Sequence, residues 1–109
     1  MSTYPALGFE LRNSDNNGKC FRVVVAGEVL VTQRLLKQQH IAGETGPIRH
    51  TCFPSPSDAV AKANAIVANR VNLEYTVGKP PLRFDVNPDA MRDITGAPLI
   101  AAYLAARSA

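Results

Sequence analysis

The chain has 109 residues, of which 46% are hydrophobic and 19% are charged, and its formal net charge is +3. This length suits one domain with a single modest core. No apolar run approaches the roughly 18 residues that a membrane-spanning helix needs. Residues 1–5 lack the basic and apolar segments of a secretory signal. We therefore expect residues 1–109 to form a single cytoplasmic domain with no membrane partner.

The first half of the chain predicts β-strands joined by short turns. Apolar and polar residues alternate, or β-branched residues cluster, in four runs. Residues 15–18 (Asp-Asn-Asn-Gly) and residues 27–28 (Gly-Glu) are turn-forming and separate the first three runs. Short connections favour an antiparallel meander. The predicted strands are residues 8–14, 19–26, 29–35 and 48–53.

A capped amphipathic helix is predicted to follow the fourth strand. Ser55 is suited to cap it, Pro56 to occupy its first position, and Asp58 to complete a capping box and face the positive end of the helix dipole. The helix is expected to run to residues 72–75. One face of the helix, flanked by Ala59, Ile66 and Leu73, is expected to lie on the sheet as an apolar stripe, and it comprises Val60, Ala63, Val67, Val71 and Glu74.

The remainder of the chain carries weaker signals. Residues 82–86 read as a further strand, and Asn87-Pro88 reads as a second helix start. After an interruption at Gly96, residues 98–106 predict a short alanine-rich helix. The sequence therefore predicts an α+β fold: an antiparallel β-meander of about four strands, one amphipathic helix packed on it, and a short C-terminal helix.

Positive charge is concentrated in residues 29–55, which contain three basic residues and a single acidic one, Glu44. A basic loop of this kind suits nucleic-acid phosphates or an acidic protein surface, and the alternative is a solvated loop. The nucleic-acid-binding candidates are Arg34, Lys37, His40, Arg49 and His50, the last depending on the strand register.

No catalytic or metal-binding motif is present. Cys20 and Cys52 each stand beside a phenylalanine in a strand-like run, where a thiol is expected to behave as a small buried hydrophobe rather than form a disulfide. His40 and His50 are ten residues apart, and no Cys-x-x-Cys pair exists, so we predict no metal and no cofactor. With no nucleophile elbow or phosphate-binding loop, the prediction is a non-catalytic protein.

The run from about Lys19 to Val77 resembles the WGR domain, a small β-sheet module with one helix packed against it. Gly43 and Gly46 match the paired glycines of that family, residues 53–55 (Phe-Pro-Ser) match the end of its strand, and Ala59 matches its helix alanine. Tyr75 lies at the expected distance. Residues 79–109 would form a C-terminal extension to this core.

The resemblance implies DNA binding, which in the family is associated with the Trp and Arg of the signature tripeptide. In this chain the tripeptide falls on residues 39–41 (Gln-His-Ile), and the chain contains no tryptophan. We predict a nucleic-acid-binding accessory protein that uses its basic loop. The alternative is a protein-interaction module, an inhibitor or adaptor of plasmid or phage type, with no nucleic-acid ligand.

The C-terminal helix would supply the docking surface in that alternative. Leu99, Ile100, Tyr103 and Leu104 give it an apolar face at helical spacing. This face would dock on a partner or on a second copy of the chain, and the competing interpretation is that it completes the protein's own core. A homodimer formed through this helix or through a free sheet edge remains open.

Overall fold

The computed structural model describes residues 3–13, 20–35, 47–72 and 75–108, with the backbone alone described at residues 13, 70–72 and 75–80. These residues contain five strands and three helices. In chain order they are β1 (Tyr4–Asn13), β2 (Cys20–Ala26), β3 (Val29–Leu35), β4 (Ile48–Cys52), α1 (Pro56–Asn72), β5 (Tyr75–Val86), α2 (Pro88–Arg92) and α3 (Ala97–Ser108).

The five strands form one antiparallel sheet in the order β4-β3-β2-β1-β5. The first four strands pair with their sequence neighbours, which confirms the predicted meander. β5 returns after α1 to pair with the free side of β1, from Tyr75 opposite Asn13 to Val86 opposite Tyr4. The predicted division between a core ending at Val77 and an extension starting at Lys79 therefore lies inside β5.

Helix α1 packs on one face of the sheet, which we call the α1 face. Ser55 caps the helix as expected, because its Oγ accepts a hydrogen bond from the Asp58 N–H at 3.2 Å. Ala59 and Ala63 are buried against the sheet, with Ile66 and Val67 packed at the margin. Val60 was predicted on this stripe, but its side chain is 46% exposed because it lies on the flank of the helix. The sheet residues that pack against this side of α1 are Phe9, Leu11, Phe21, Val23, Val25 and Leu30.

Helices α2 and α3 cover the opposite face, which we call the α3 face. Leu99, Ile100 and Tyr103 are buried there, and Leu104 packs against them. This corrects their prediction as a docking surface, because the protein's own sheet already occupies the apolar face of α3. Their sheet partners are Ala6, Val24, Ala26, Val29, Val31 and Val86.

Gly8 permits the close approach of α3 to the sheet. A Cβ atom at this position would overlap the ring of Tyr103. The ring therefore lies directly on the backbone of β1, and the fold is an α+β sheet with helices on both faces. Across the described residues, no helix has the length and hydropathy of a membrane span.

Candidate nucleic-acid interface

A groove of about 610 Å³ runs along the α1 face, between α1 and the outer strands β3 and β4. We call it the basic groove. It exists because α1 lies over the inner part of the sheet, where Ala59 and Ala63 pack on the core. The outer strands are thus left partly uncovered. Its lining residues are Phe21, Leu30, Thr32, Arg34, Pro47, Ile48, Arg49, Thr51, Phe53, Lys62, Ile66 and Asn69.

The strand side of the groove follows from the two-residue period of β-structure. Residues 30, 32 and 34 of β3 share one face, and Thr32 pairs with Arg49 of β4. The Arg34 N–H donates to the Pro47 carbonyl oxygen at 3.3 Å, so the pairing extends one residue beyond the strand. Arg34 and Arg49 are therefore diagonal neighbours, whose backbones lie about 7–8 Å apart in such a sheet.

The helix side of the groove is contributed by one stripe of α1. Lys62, Ile66 and Asn69 have the i, i+4, i+7 spacing that places side chains on one face of a helix. This stripe flanks the buried alanines on the side of β3 and β4. Lys62 thereby faces the two arginines across the groove.

The charge of the basic groove is one-sided. The described residues of its lining include three cations, Arg34, Arg49 and Lys62, all exposed, and no aspartate or glutamate. In the part of the chain that the structure describes, no ion pair neutralises any of the three. Threonine hydroxyls and the Asn69 amide add hydrogen-bonding groups between them. The arrangement suits an anion with several oxygen atoms, such as a phosphate backbone.

The structure brings together two of the five predicted nucleic-acid-binding residues, Arg34 and Arg49. His50 was predicted beside them, but it lies on the α3 face, because adjacent residues of a strand point to opposite faces. Its Nε2 atom is 3.0 Å from the Met91 carbonyl oxygen. Lys37 and His40 lie outside the described residues.

Sequence reasoning did not single out Lys62 and Asn69, which line the basic groove. Their helical spacing with Ile66 was readable from the sequence. Which flank of α1 faces β4, however, depends on how the helix lies across the sheet. The sequence also predicts that Thr32 and Arg34 share one face of their strand, and that Arg49 and Thr51 share one face of theirs, because residues two positions apart in a strand point to the same side.

A second set of arginines occupies the α3 face, and there each arginine contacts a carboxylate. We call it the Glu10 cluster: Glu10, Arg12, Arg22 and Arg107. Glu10 is fully buried, and its Oε1 accepts from Arg22 Nε at 3.1 Å and lies 2.6 Å from Arg107 Nη1. Arg22 also donates to Gln33 Oε1 at 2.9 Å. Arg12 Nη2 lies 3.6 Å from Glu10 Oε2.

The Glu10 cluster keeps its carboxylate ionised. Burial acts to raise the pKa of Glu10, but the hydrogen bond from Arg22 and the charges of Arg107, Arg22 and Arg12 outweigh it, so the pKa lies below the ordinary value. The same surroundings raise the pKa of Tyr103, through burial and the nearby Glu10 charge. Glu10 is therefore an ionised structural carboxylate, whose Oε1 atom carries the close contacts to Arg22 and Arg107 while its buried Oε2 atom has no hydrogen-bond partner among the described residues.

The two cysteines have different environments and form no disulfide. Cys20 is buried as predicted, and burial together with the Glu10 charge raises the pKa of its thiol to about 11. Cys52 was predicted to be buried but is exposed, because β4 is an edge strand. Within the described ranges, no three His, Cys, Asp or Glu side chains are grouped as metal ligands would be.

Comparison with protein-family models, with curated proteins and with solved structures finds no match to this chain.

Proposed function

We propose that this protein is a non-catalytic nucleic-acid-binding accessory module, which holds a phosphate backbone in the basic groove. One observation carries the proposal: Arg34, Arg49 and Lys62 converge on one groove, and none of the described residues that line it is acidic. Cations on exposed positions contact phosphates at a smaller desolvation cost than buried cations do. Phe53, half-buried at the groove, offers a ring edge or face to a base.

The proposal predicts salt-dependent binding of moderate strength. Each phosphate neutralised contributes about 0.7–0.9 to the slope of log K against log salt concentration, so three cations give a slope of about −2 to −3. Fluorescence anisotropy measures this slope with labelled single-stranded, blunt duplex and nicked duplex DNA at a series of salt concentrations. A preference for ends or nicks would extend the WGR resemblance from the sequence to the function.

A matched pair of double variants locates the binding site. Arg34→Glu with Arg49→Glu reverses two charges in the groove, and Arg83→Glu with Arg92→Glu reverses two exposed charges outside it. Both variants change the net charge equally. We expect the first to abolish binding and the second to retain it. Equal losses in both would mean that only the total charge matters, and the groove would not be the site.

Polyglutamate, used as a competitor, tests the alternative of an acidic protein ligand. The basic groove presents three cations to any polyanion, so some competition at low salt is expected. Displacement of DNA by polyglutamate at equal charge concentration would favour an acidic protein surface as the ligand. Displacement only at large excess supports a phosphate backbone.

A further inference from the structure

The two edges of the sheet differ in how well they resist pairing with another strand. β5 carries Pro80 and Pro81, which have no N–H to donate, and its pairing with β1 shifts register at two places. β4 contains no proline and no bulge, and it pairs with β3 without interruption from residue 48 to residue 52. The β4 edge therefore lacks the features that protect the β5 edge.

The hydrogen-bonding pattern fixes which groups β4 presents outward. The Phe53 N–H donates to the Glu28 carbonyl at 2.8 Å, and the Arg34 N–H donates to the Pro47 carbonyl. Since hydrogen-bonded and non-hydrogen-bonded pairs alternate in an antiparallel ladder, residues 49 and 51 also bond inward to β3. Ile48, His50 and Cys52 therefore direct their backbone N–H and C=O groups outward. Among the described residues, no backbone group bonds to them.

We propose that β4 pairs antiparallel with β4 of a second copy of this chain, about a two-fold axis at His50. Three outward-facing residues are self-complementary in this register: His50 meets His50, and Ile48 meets Cys52 in both directions. Each of these pairs exchanges two hydrogen bonds, so the seam contains six. The pairing joins two five-stranded sheets into one sheet of ten strands.

Side chains along β4 are compatible with this register. On the α1 face Arg49 would lie opposite Thr51 of the other copy, so like charges are not directly opposed. On the α3 face apolar Ile48 would lie opposite Cys52. The His50 ring is held by the Met91 carbonyl of its own chain. Self-pairing thus creates no buried charge and places no like charges directly opposite each other.

An exposed apolar surface adjoins the same edge. Ile94, 83% exposed, lines a cavity of about 1200 Å³ together with His50, Cys52 and Met91. The turn after Ile94 reaches β4, because a Cβ at Gly96 would meet the Ile48 side chain at 2.8 Å. A second copy paired along β4 would cover part of this surface, which a monomer leaves in water.

Analytical ultracentrifugation of the full chain without nucleic acid tests the proposal. We expect a species of twice the 11.7 kDa chain mass at high micromolar concentration. His50→Pro removes the outward N–H together with the ring contact to Met91, and it should give a monomer with an unchanged circular dichroism spectrum. His50→Ala loses the contact with Met91 but keeps the N–H, and it should remain dimeric. A monomeric wild type, or a His50→Pro variant that still dimerises, would overturn the proposal.

Disulfide trapping tests the register independently. In the proposed dimer, residue 48 and residue 52 of the other copy have Cα atoms about 5.5 Å apart, a separation that a disulfide spans. Ile48→Cys should therefore crosslink to the native Cys52 of the partner under mild oxidation. The matched control, Ile48→Cys with Cys52→Ser, should not crosslink, because its two new thiols lie more than about 13 Å apart. Crosslinking in that control, or by wild-type Cys52 alone, would overturn the register.

Dimerisation also bears on the basic groove, a consequence that rests on the proposed function. Arg49 lies on β4, so the two grooves would meet at the seam and form one longer basic surface. The His50→Pro monomer should then bind DNA with the slope of about −2 to −3 that one groove gives, about half the slope of the dimer. Failure of DNA binding with an intact dimer would reject the proposed function alone, since the mass is measured without DNA.

Discussion

On the α3 face, Arg22 and Arg107 both contact the buried carboxylate of Glu10, whereas on the α1 face Arg34 and Arg49 point into an open groove with no described carboxylate. The difference follows from burial. A guanidinium inside the fold requires a charged partner, because burying it unpaired costs several kcal/mol. An exposed guanidinium is stabilised by water and stays available to a ligand.

The comparison separates arginines that maintain the fold from arginines suited to binding. In the Glu10 cluster the negative charge comes from the protein, and Tyr103 and Gln33 complete the polar contacts. In the basic groove the described residues supply no negative charge, which leaves its cations available to an anionic ligand. Substitutions in the two regions should therefore affect different measurements, stability for one and ligand affinity for the other.

Glu10→Gln gives the largest expected effect. The substitution keeps the size of the side chain but removes the charge that compensates Arg22 and Arg107. Breaking a buried pair in this way typically costs about 3–5 kcal/mol of unfolding free energy. Urea denaturation measures the loss. Asp89→Asn, which removes the exposed pair with Arg92, is the control and should change little. Similar stability in both variants would mean that the Glu10 cluster is dispensable.

Gly8→Ala should destabilise the protein by disrupting the close packing of Tyr103 of α3 on β1, beside the Glu10 cluster. The new methyl group overlaps the Tyr103 ring, and overpacking of this kind costs about 1–3 kcal/mol. Tyr103→Leu introduced with Gly8→Ala should recover part of the loss, because the smaller side chain vacates the ring position. Strictly additive effects of the two substitutions in urea denaturation would contradict the contact.

Acidification should weaken the Glu10 cluster. The folded-state pKa of Glu10 lies below the ordinary glutamate value of 4.5, so its stabilising contribution is complete above that value. The contribution is lost as the pH falls through the folded pKa, since protonation removes the ion pairs. The loss of unfolding free energy on acidifying the wild type should be smaller than the loss that Glu10→Gln causes at neutral pH, because the substitution removes the charge completely. Urea midpoints measured between pH of about 7 and about 3 should therefore fall less steeply in Glu10→Gln than in wild type.

Single neutralisations in the basic groove should give the smallest effects on stability. Arg34→Gln and Lys62→Gln remove exposed charges, so the unfolding free energy should change by no more than about 0.5 kcal/mol. Each should nevertheless reduce the salt slope of DNA binding by about 1. A groove variant that loses several kcal/mol of stability would show that the two regions are not distinct.

Local sequence signals were sufficient for most of the fold. Turn residues and alternation predicted the first four strands, and Ser55 with Pro56 predicted the start of α1 where the structure has it. β5 was recognised only from residue 82, because Gly78, Pro80 and Pro81 oppose strand formation locally. Pairing with β1 along both halves overcomes that preference.

The candidate site was less predictable than the fold. Charge concentration pointed to Arg34 and Arg49, and alternation along β4 excluded His50 only once the register was fixed. The apolar face of α3 gave no sign of whether it packs inside the chain or on a partner, since both uses require the same pattern. Packing of Leu99 and Tyr103 on the sheet answered that question.

The sequence by itself determined the strands of the meander, the capped helix and the basic bias of residues 29–55, because these depend on neighbouring residues. Only the tertiary structure decided that α1 and α3 lie on opposite faces, that Lys62 faces Arg34 and Arg49, and that Glu10 binds Arg22 and Arg107. Those contacts join residues from 12 to 97 positions apart. Local preferences do not specify such distances, whereas burial and charge pairing in the folded core do.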